Sequence, residues 1–104
     1  MNLFESAEYA ESLSECKKRP CGFSLEVNYE VVAIGFNHGS GEVCKCRPTG
    51  QENPDCEHAE IHGTKNIAFL KSDYVRAAST YICCLNCCKE LVRLGVDVLF
   101  YRDH

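Results

Sequence analysis

The sequence predicts an α/β protein with one mixed β-sheet between helices, and two observations carry that prediction. Helical periodicity alternates with short β-rich runs in the order helix, strand, strand, loop, helix, strand, helix, strand. The later strand-helix-strand-helix-strand run predicts parallel pairing through right-handed crossovers, whereas the two early strands are close enough to form an antiparallel hairpin. A length of 104 residues supplies one core, so residues 1–104 are expected to form one domain, without internal repeats or a linker.

The first helix follows from Leu3, Ala7, Ala10 and Leu13 at helical spacing, with Glu5, Glu8, Glu11 and Glu15 between them. It is expected to run to about residue 18 and to end before Pro20, which cannot donate to a helical turn. Gly22-Phe23-Ser24-Leu25-Glu26-Val27 alternates apolar and polar side chains. Asn28-Tyr29-Glu30 then turns into the apolar run Val31 to Phe36, which completes a β-hairpin. From His38 to about Glu57 the chain is rich in Gly, Pro, Asn, Ser and Cys and lacks apolar periodicity. A loop of that length inside a compact domain is normally functional or held by something.

A second helix is expected from His58 to Leu70, on Ile61, Ile67, Ala68 and Leu70, with Gly63 weakening the signal. Arg76 to Ile82 suits a strand. Leu85, Cys88, Leu91 and Val92 form the apolar face of a third helix that stops at Gly95, and Val96 to Tyr101 is a last short strand.

Composition narrows the function classes. Hydrophobic residues make up 45% and charged residues 25%, which fits a soluble globular chain and excludes disorder as the default. The start, Met1 to Glu8, has no basic cluster followed by an apolar run, and no apolar stretch approaches the roughly 20 residues needed to cross a bilayer. A soluble, cytoplasmic protein without membrane contact is expected. Nine cysteines without a signal peptide point to reduced thiols and metal ligation rather than to a disulfide framework. The formal net charge of −4 argues against a surface that coats nucleic acid. The dense basic patch Lys17-Lys18-Arg19, with Lys45 and Arg47 further along, reads either as a solvated helix end or as a partner for phosphate.

The chemistry-bearing constellation is His58-Ala59-Glu60 at one helix start with Cys84-Leu85-Asn86-Cys87 at another. A catalytic zinc takes three protein ligands and keeps a fourth position open, and His58, Cys84 and Cys87 supply three. Both thiols sit at a predicted helix start, where the dipole and unpaired amides favour the thiolate. Such a zinc lowers the pKa of a water to about 7. Glu60, two residues past the histidine, can take that water's proton and return it to a leaving amine. A closed structural site would need a fourth Cys or His and has no use for Glu60.

These motifs resemble the zinc-dependent cytidine and deoxycytidylate deaminases, whose signature is His-x-Glu followed by Pro-Cys-x-x-Cys. The resemblance runs over nearly the whole chain: Ser14-Glu15-Cys16, Gly35-Phe36-Asn37, His58-Ala59-Glu60, and Cys84-x-x-Cys87 followed by Lys89 and Gly95. It is nearest to compact, phage-type deoxycytidylate deaminases. It implies a three-layer α/β/α cytidine-deaminase-like fold and hydrolysis of dCMP to dUMP and ammonia. It also implies that Asn37 meets the sugar, that the Ala59 amide holds the pyrimidine carbonyl, and that the Ile82 carbonyl meets the leaving amino group. Some relatives carry a structural zinc between first helix and long loop, which makes Cys16, Cys44, Cys46 and Cys56 candidate ligands of a second ion; packing as small apolar side chains is the alternative.

Three features depart from the family pattern. Cys83 stands where proline usually precedes the first cysteine ligand, and His62-Gly63 replaces an Asn-Ala pair. The sequence ends at His104, so the resemblance lacks the final strand and helices of larger relatives, and a homo-oligomer is expected to cover the edge this leaves. Cys21 and Cys88 read as core residues, His38 as a turn residue, His62 as lining the pocket or facing a neighbour, and Tyr81 as packing. Three rival functions remain at this point: deamination of free cytidine or deoxycytidine, deamination of a base in nucleic acid, and a non-catalytic zinc module with a regulatory role. The acidic balance speaks against nucleic acid.

Overall fold

A computed structural model of the chain describes residues 1–14, 20–39, 56–65, 67, 72–81 and 85–102. The readings of Cys16, Lys17 to Arg19, Cys44 to Arg47 and Ile82 to Cys84 lie outside those residues.

Helix α1 (Leu3–Ser12) opens with a capping box, in which the Glu5 amide donates to Asn2 Oδ1 at 2.8 Å and the Asn2 amide to Glu5 Oε1 at 3.1 Å. It buries Leu3, Ser6, Ala7 and Ala10 and stops at Ser12 rather than near residue 18. The reason is tertiary. Just beyond the cap at Leu13, Ser14 Oγ sits 2.9 Å and 2.5 Å from the backbone and side-chain oxygens of Asn37, which draws the chain off the helical path. Leu13, read as part of the apolar face, is exposed.

Strands β1 (Gly22–Val27) and β2 (Glu30–Phe36) form the expected antiparallel hairpin. Its two turn residues, Asn28 and Tyr29, both take positive φ (51° and 72°), which suits the twist of a two-residue hairpin turn. Asn28 pays back the strain locally: its amide donates to Tyr74 O, its Oδ1 accepts from the Tyr74 amide, and its Nδ2 donates to Asp73.

The stretch read as one long loop has paired ends. Strand β3 (His38–Gly39) lies antiparallel to β4 (Cys56–Glu57), so His38 belongs to a strand and not a turn. Helix α2 (Ala59–Thr64) is shorter than expected. Thr64 Oγ1 donates back to Glu60 O at 2.8 Å, and Lys65 leaves helical space with ψ 133°. Strand β5 (Val75–Ser79) follows, then α3 (Leu85–Leu94), ended by Gly95 at φ +100°, and β6 (Val98–Tyr101).

The strand order is β2-β1-β5-β6, with β1 antiparallel to both neighbours and β5 parallel to β6. This corrects the expected pairing in one respect. β2 and β5 point the same way, as a crossover demands, but β1 lies between them because the connection through α2 spans one strand. Among the described strands, β5 and β6 are the parallel pair.

Side-chain alternation sorts the layers. Phe23, Leu25, Val75 and Ala77 point to one face and bury Cys21, Ala59 of α2 and Leu91 of α3. On the other face Ala78 meets Leu3 and Ala7 of α1, with Val31 and Phe100 alongside, and Ser24 Oγ donates to Leu3 O. The architecture is therefore α1, sheet, then α2 with α3. On α3 the buried residues are Cys87 and Leu91, whereas Leu85 and Val92 are exposed and Cys88 half-buried. The apolar residues of this helix span a wider arc than the sheet covers, so the buried stripe is rotated from the expected one. No described helix is long and apolar enough to cross a membrane.

Candidate active site

The site lies where β2 and β5 end and α2 and α3 begin, the edge of an α/β sheet at which ligands are generally bound. Close approach of α2 to the sheet positions it. A Cβ on Gly35 would stand 2.3 Å from Gly63 N and 2.4 Å from Ala59 O, so only glycine lets β2 accept α2 at this distance.

His58 is the N-cap of α2, with extended backbone (φ −70°, ψ 150°), and its carbonyl accepts from the His62 amide at 2.9 Å. Its Nδ1 lies 3.3 Å from Cys87 Sγ, in the first turn of α3. Glu60, 4% exposed, is placed by the same turn as His58. Donor atoms of His58, Glu60 and Cys87 all fall within 4.8 Å of one another. The donor set suits zinc. Tetrahedral bonds of about 2.0 Å to nitrogen and about 2.3 Å to sulfur put the two donors roughly 3.5 Å apart, close to the His58–Cys87 separation. Cys84, the remaining expected ligand, is outside the described residues, as is Ile82.

Ala59 is buried at the first turn of α2, where helix amides lack intrahelical partners. Asn37 follows β2 and is also buried. Its Oδ1 accepts from the Cys21 amide at 2.8 Å as well as contacting Ser14 Oγ, and its own amide donates to Cys21 O. The side-chain oxygen thus fastens the end of β2 to the start of β1. His62 packs edge-on against Phe36, ring centroids 4.6 Å apart, and its Nδ1 accepts from the Phe36 amide at 3.0 Å. Tyr81 packs against the core under the Arg102 guanidinium. Cys56 lies in β4, close to His58 in sequence; Cys16, Cys44 and Cys46 are outside the described residues.

Sequence reasoning missed Ser79 and gave Cys21 no part in the site. Ser79, the last residue of β5, donates from Oγ to Glu60 Oε1 at 2.9 Å, both groups being buried. Cys21, read only as core, has its Sγ 3.6 Å from the same Ser79 oxygen. Burial, then the nearby Glu60 charge, pushes the Cys21 thiol up against the lowering influence of Ser79 and Thr80. A polar pair, Ser79-Thr80, directly after the apolar Ala77-Ala78 was the available signal.

No protein-family model matches the chain, and no curated protein matches it in sequence. Similarity appears among solved structures. The dCMP deaminase of cyanophage S-TIM5 in its apo form superposes with a TM-score of 0.72 at 24% identity, over 96% of this chain and 79% of that one. This chain shares the fold of that enzyme. The same phage enzyme in complex with dCMP and dUMP gives a TM-score of 0.71 at 23% identity, over 93% of this chain and 75% of that one. The three-layer arrangement implied by the resemblance is thus the one observed, and it is within this shared fold that His58, Glu60 and Cys87 converge.

Proposed function

We propose that this chain hydrolyses dCMP to dUMP and ammonia, with zinc held by His58, Cys84 and Cys87. The observation that carries the reading is the meeting of a His58 ring nitrogen, the Glu60 carboxylate and Cys87 Sγ within 4.8 Å, on a fold shared with a dCMP deaminase crystallised with dCMP and dUMP.

Zinc in this site would act as a Lewis acid that makes water nucleophilic near neutral pH. Glu60 takes the proton of the attacking water and delivers it toward the amino group, which leaves as ammonia once the ring carbon–nitrogen bond breaks. Its burial keeps bulk water from competing for that proton. The Ala59 amide holds the pyrimidine carbonyl, and the Ile82 carbonyl orients the leaving amino group. Asn37, whose Oδ1 is fixed by the Cys21 amide and the Ser14 hydroxyl, meets the sugar. Lys17 to Arg19, or Lys45 with Arg47, would neutralise the 5′-phosphate.

A second, structural zinc on Cys16, Cys44, Cys46 and Cys56 belongs to the same reading. The β3–β4 pairing supports it by bringing the two ends of the cysteine-bearing loop together. Metal analysis giving one zinc per chain would remove it. We read the enzyme as cytoplasmic, and as homo-oligomeric because β6 lies at an edge among the described strands and α3 exposes Leu85 and Val92; a monomeric sedimentation profile would contradict the second.

The experiment is ultraviolet absorbance of zinc-loaded protein with dCMP, CMP, deoxycytidine and cytidine in turn, because conversion to the uracil product changes the spectrum. Turnover of dCMP is the expected result. Turnover of the nucleosides alone would transfer the reading to a nucleoside deaminase, and turnover of none would move it to a polynucleotide substrate or a non-catalytic zinc module.

A further inference from the structure

We infer that Ser79 is a positioning residue for Glu60, its hydroxyl anchoring one carboxylate oxygen so that proton transfer falls to the other, with Cys21 holding the Ser79 hydroxyl in turn. The inference rests on the deaminase reading of the site.

Ser79 and Glu60 come from different elements, β5 and α2, and meet at 2.9 Å with exposures of 3% and 4%. A serine hydroxyl has a single hydrogen. Given a carboxylate and a thiol as neighbours, that hydrogen goes to the carboxylate, since charge-assisted hydrogen bonds are the stronger. At Cys21, 3.6 Å away, the Ser79 oxygen is therefore an acceptor for the thiol and the nearer one, its other acceptor, Gly22 O, standing 4.0 Å off. The environment favours that direction: burial first, and the Glu60 charge second, keep the Cys21 thiol protonated. The result is a directed chain, Cys21 S–H to Ser79 O–H to Glu60 Oε1.

The chain matters because the last torsion of a glutamate is broad, so a carboxylate needs a fixed partner to present one oxygen reproducibly. Displacing a reacting group by about 1 Å can cost on the order of 100-fold in rate. Ser79 lies on the sheet face that packs against α2, and its hydroxyl is aimed at Glu60 rather than at the metal ligands.

The test compares zinc-loaded wild type, Ser79→Ala and Ser79→Thr. Ser79→Ala is expected to lower kcat for dCMP by about 10- to 100-fold, with KM and zinc content held within about twofold, and Ser79→Thr to restore most of kcat. Unchanged kcat in Ser79→Ala, or a loss that Ser79→Thr does not recover, overturns the proposal. Crystal structures of the zinc-loaded proteins supply a readout independent of turnover. Glu60 is expected in one orientation in wild type and in a rotated or divided one in Ser79→Ala; an unmoved carboxylate overturns the proposal even if kcat falls. Should wild type turn over no cytosine nucleotide, the deaminase reading fails while the crystallographic comparison still decides the role of Ser79. If Ser79→Ala does not fold, Cys21→Val and Cys21→Ser replace it. The donor-retaining serine is expected to keep several-fold more kcat than valine, and equal rates overturn the chain.

Discussion

Nδ1 of His58 and Sγ of Cys87, presented by the starts of two different helices, stand 3.3 Å apart. A nitrogen and a sulfur at that spacing beside a buried carboxylate form a metal-binding geometry, so the first prediction concerns the ion. Replacing His58, Cys84 or Cys87 by alanine should weaken zinc binding by more than about 100-fold, beyond the 10- to 100-fold typical of groups that only support ligands. Glu60→Gln should leave zinc content unchanged. Elemental analysis after dialysis against a weak chelator reads both. Added zinc should also raise the thermal midpoint of wild type, because a ligand of the folded state stabilises it by mass action.

Gly35 gives a prediction about how the site is placed. A methyl group there would overlap the α2 backbone at Gly63 and Ala59. Backbone cannot rotate away as a side chain can, so Gly35→Ala must push α2, and with it His58 and Glu60, off the sheet. Overpacking of this kind typically costs about 1–3 kcal/mol. Urea unfolding should show that loss, and dCMP turnover should fall further than the folded fraction does.

Cys21 carries a pH dependence. Its thiol is pushed above its ordinary 9.0, chiefly by burial and next by the Glu60 charge. The unfolded chain ionises this thiol at lower pH than the folded one, so its contribution is complete below 9.0 and is lost as pH rises toward the folded value. Unfolding free energies of wild type and Cys21→Ala, measured from about pH 8 to about pH 10.5, should converge above the ordinary value by up to about 1.4 kcal/mol per pH unit. A constant difference across that range would contradict the assignment.

What the sequence made legible was what local pattern encodes. Alternation in Gly22 to Val27 sends Phe23 and Leu25 to one face and Ser24 to the other, and both helix-bearing faces follow from it. His58-Ala59-Glu60 and the cysteine pair stood out because ligand spacing is a sequence property; the structure brings His58, Glu60 and Cys87 together. What escaped was set by contacts between distant residues. α1 ends early because Ser14 meets Asn37, 23 residues further along the chain. Nothing in the periodicity says that β1 sits between β2 and β5, or that Leu85 and Val92 face outward. The Ser79–Glu60 hydrogen bond joins residues whose proximity exists only once sheet and helix are stacked.

The proposed role of Glu60, moving protons beside a zinc ion during hydrolysis of a cytosine nucleotide, is decided by dCMP turnover of Glu60→Gln at verified zinc content. The variant is expected to fold, to bind zinc as wild type does, and to lose at least about 100-fold in kcat, the usual scale of general acid–base catalysis. A zinc-loaded Glu60→Gln protein that deaminates dCMP at the wild-type rate would contradict it.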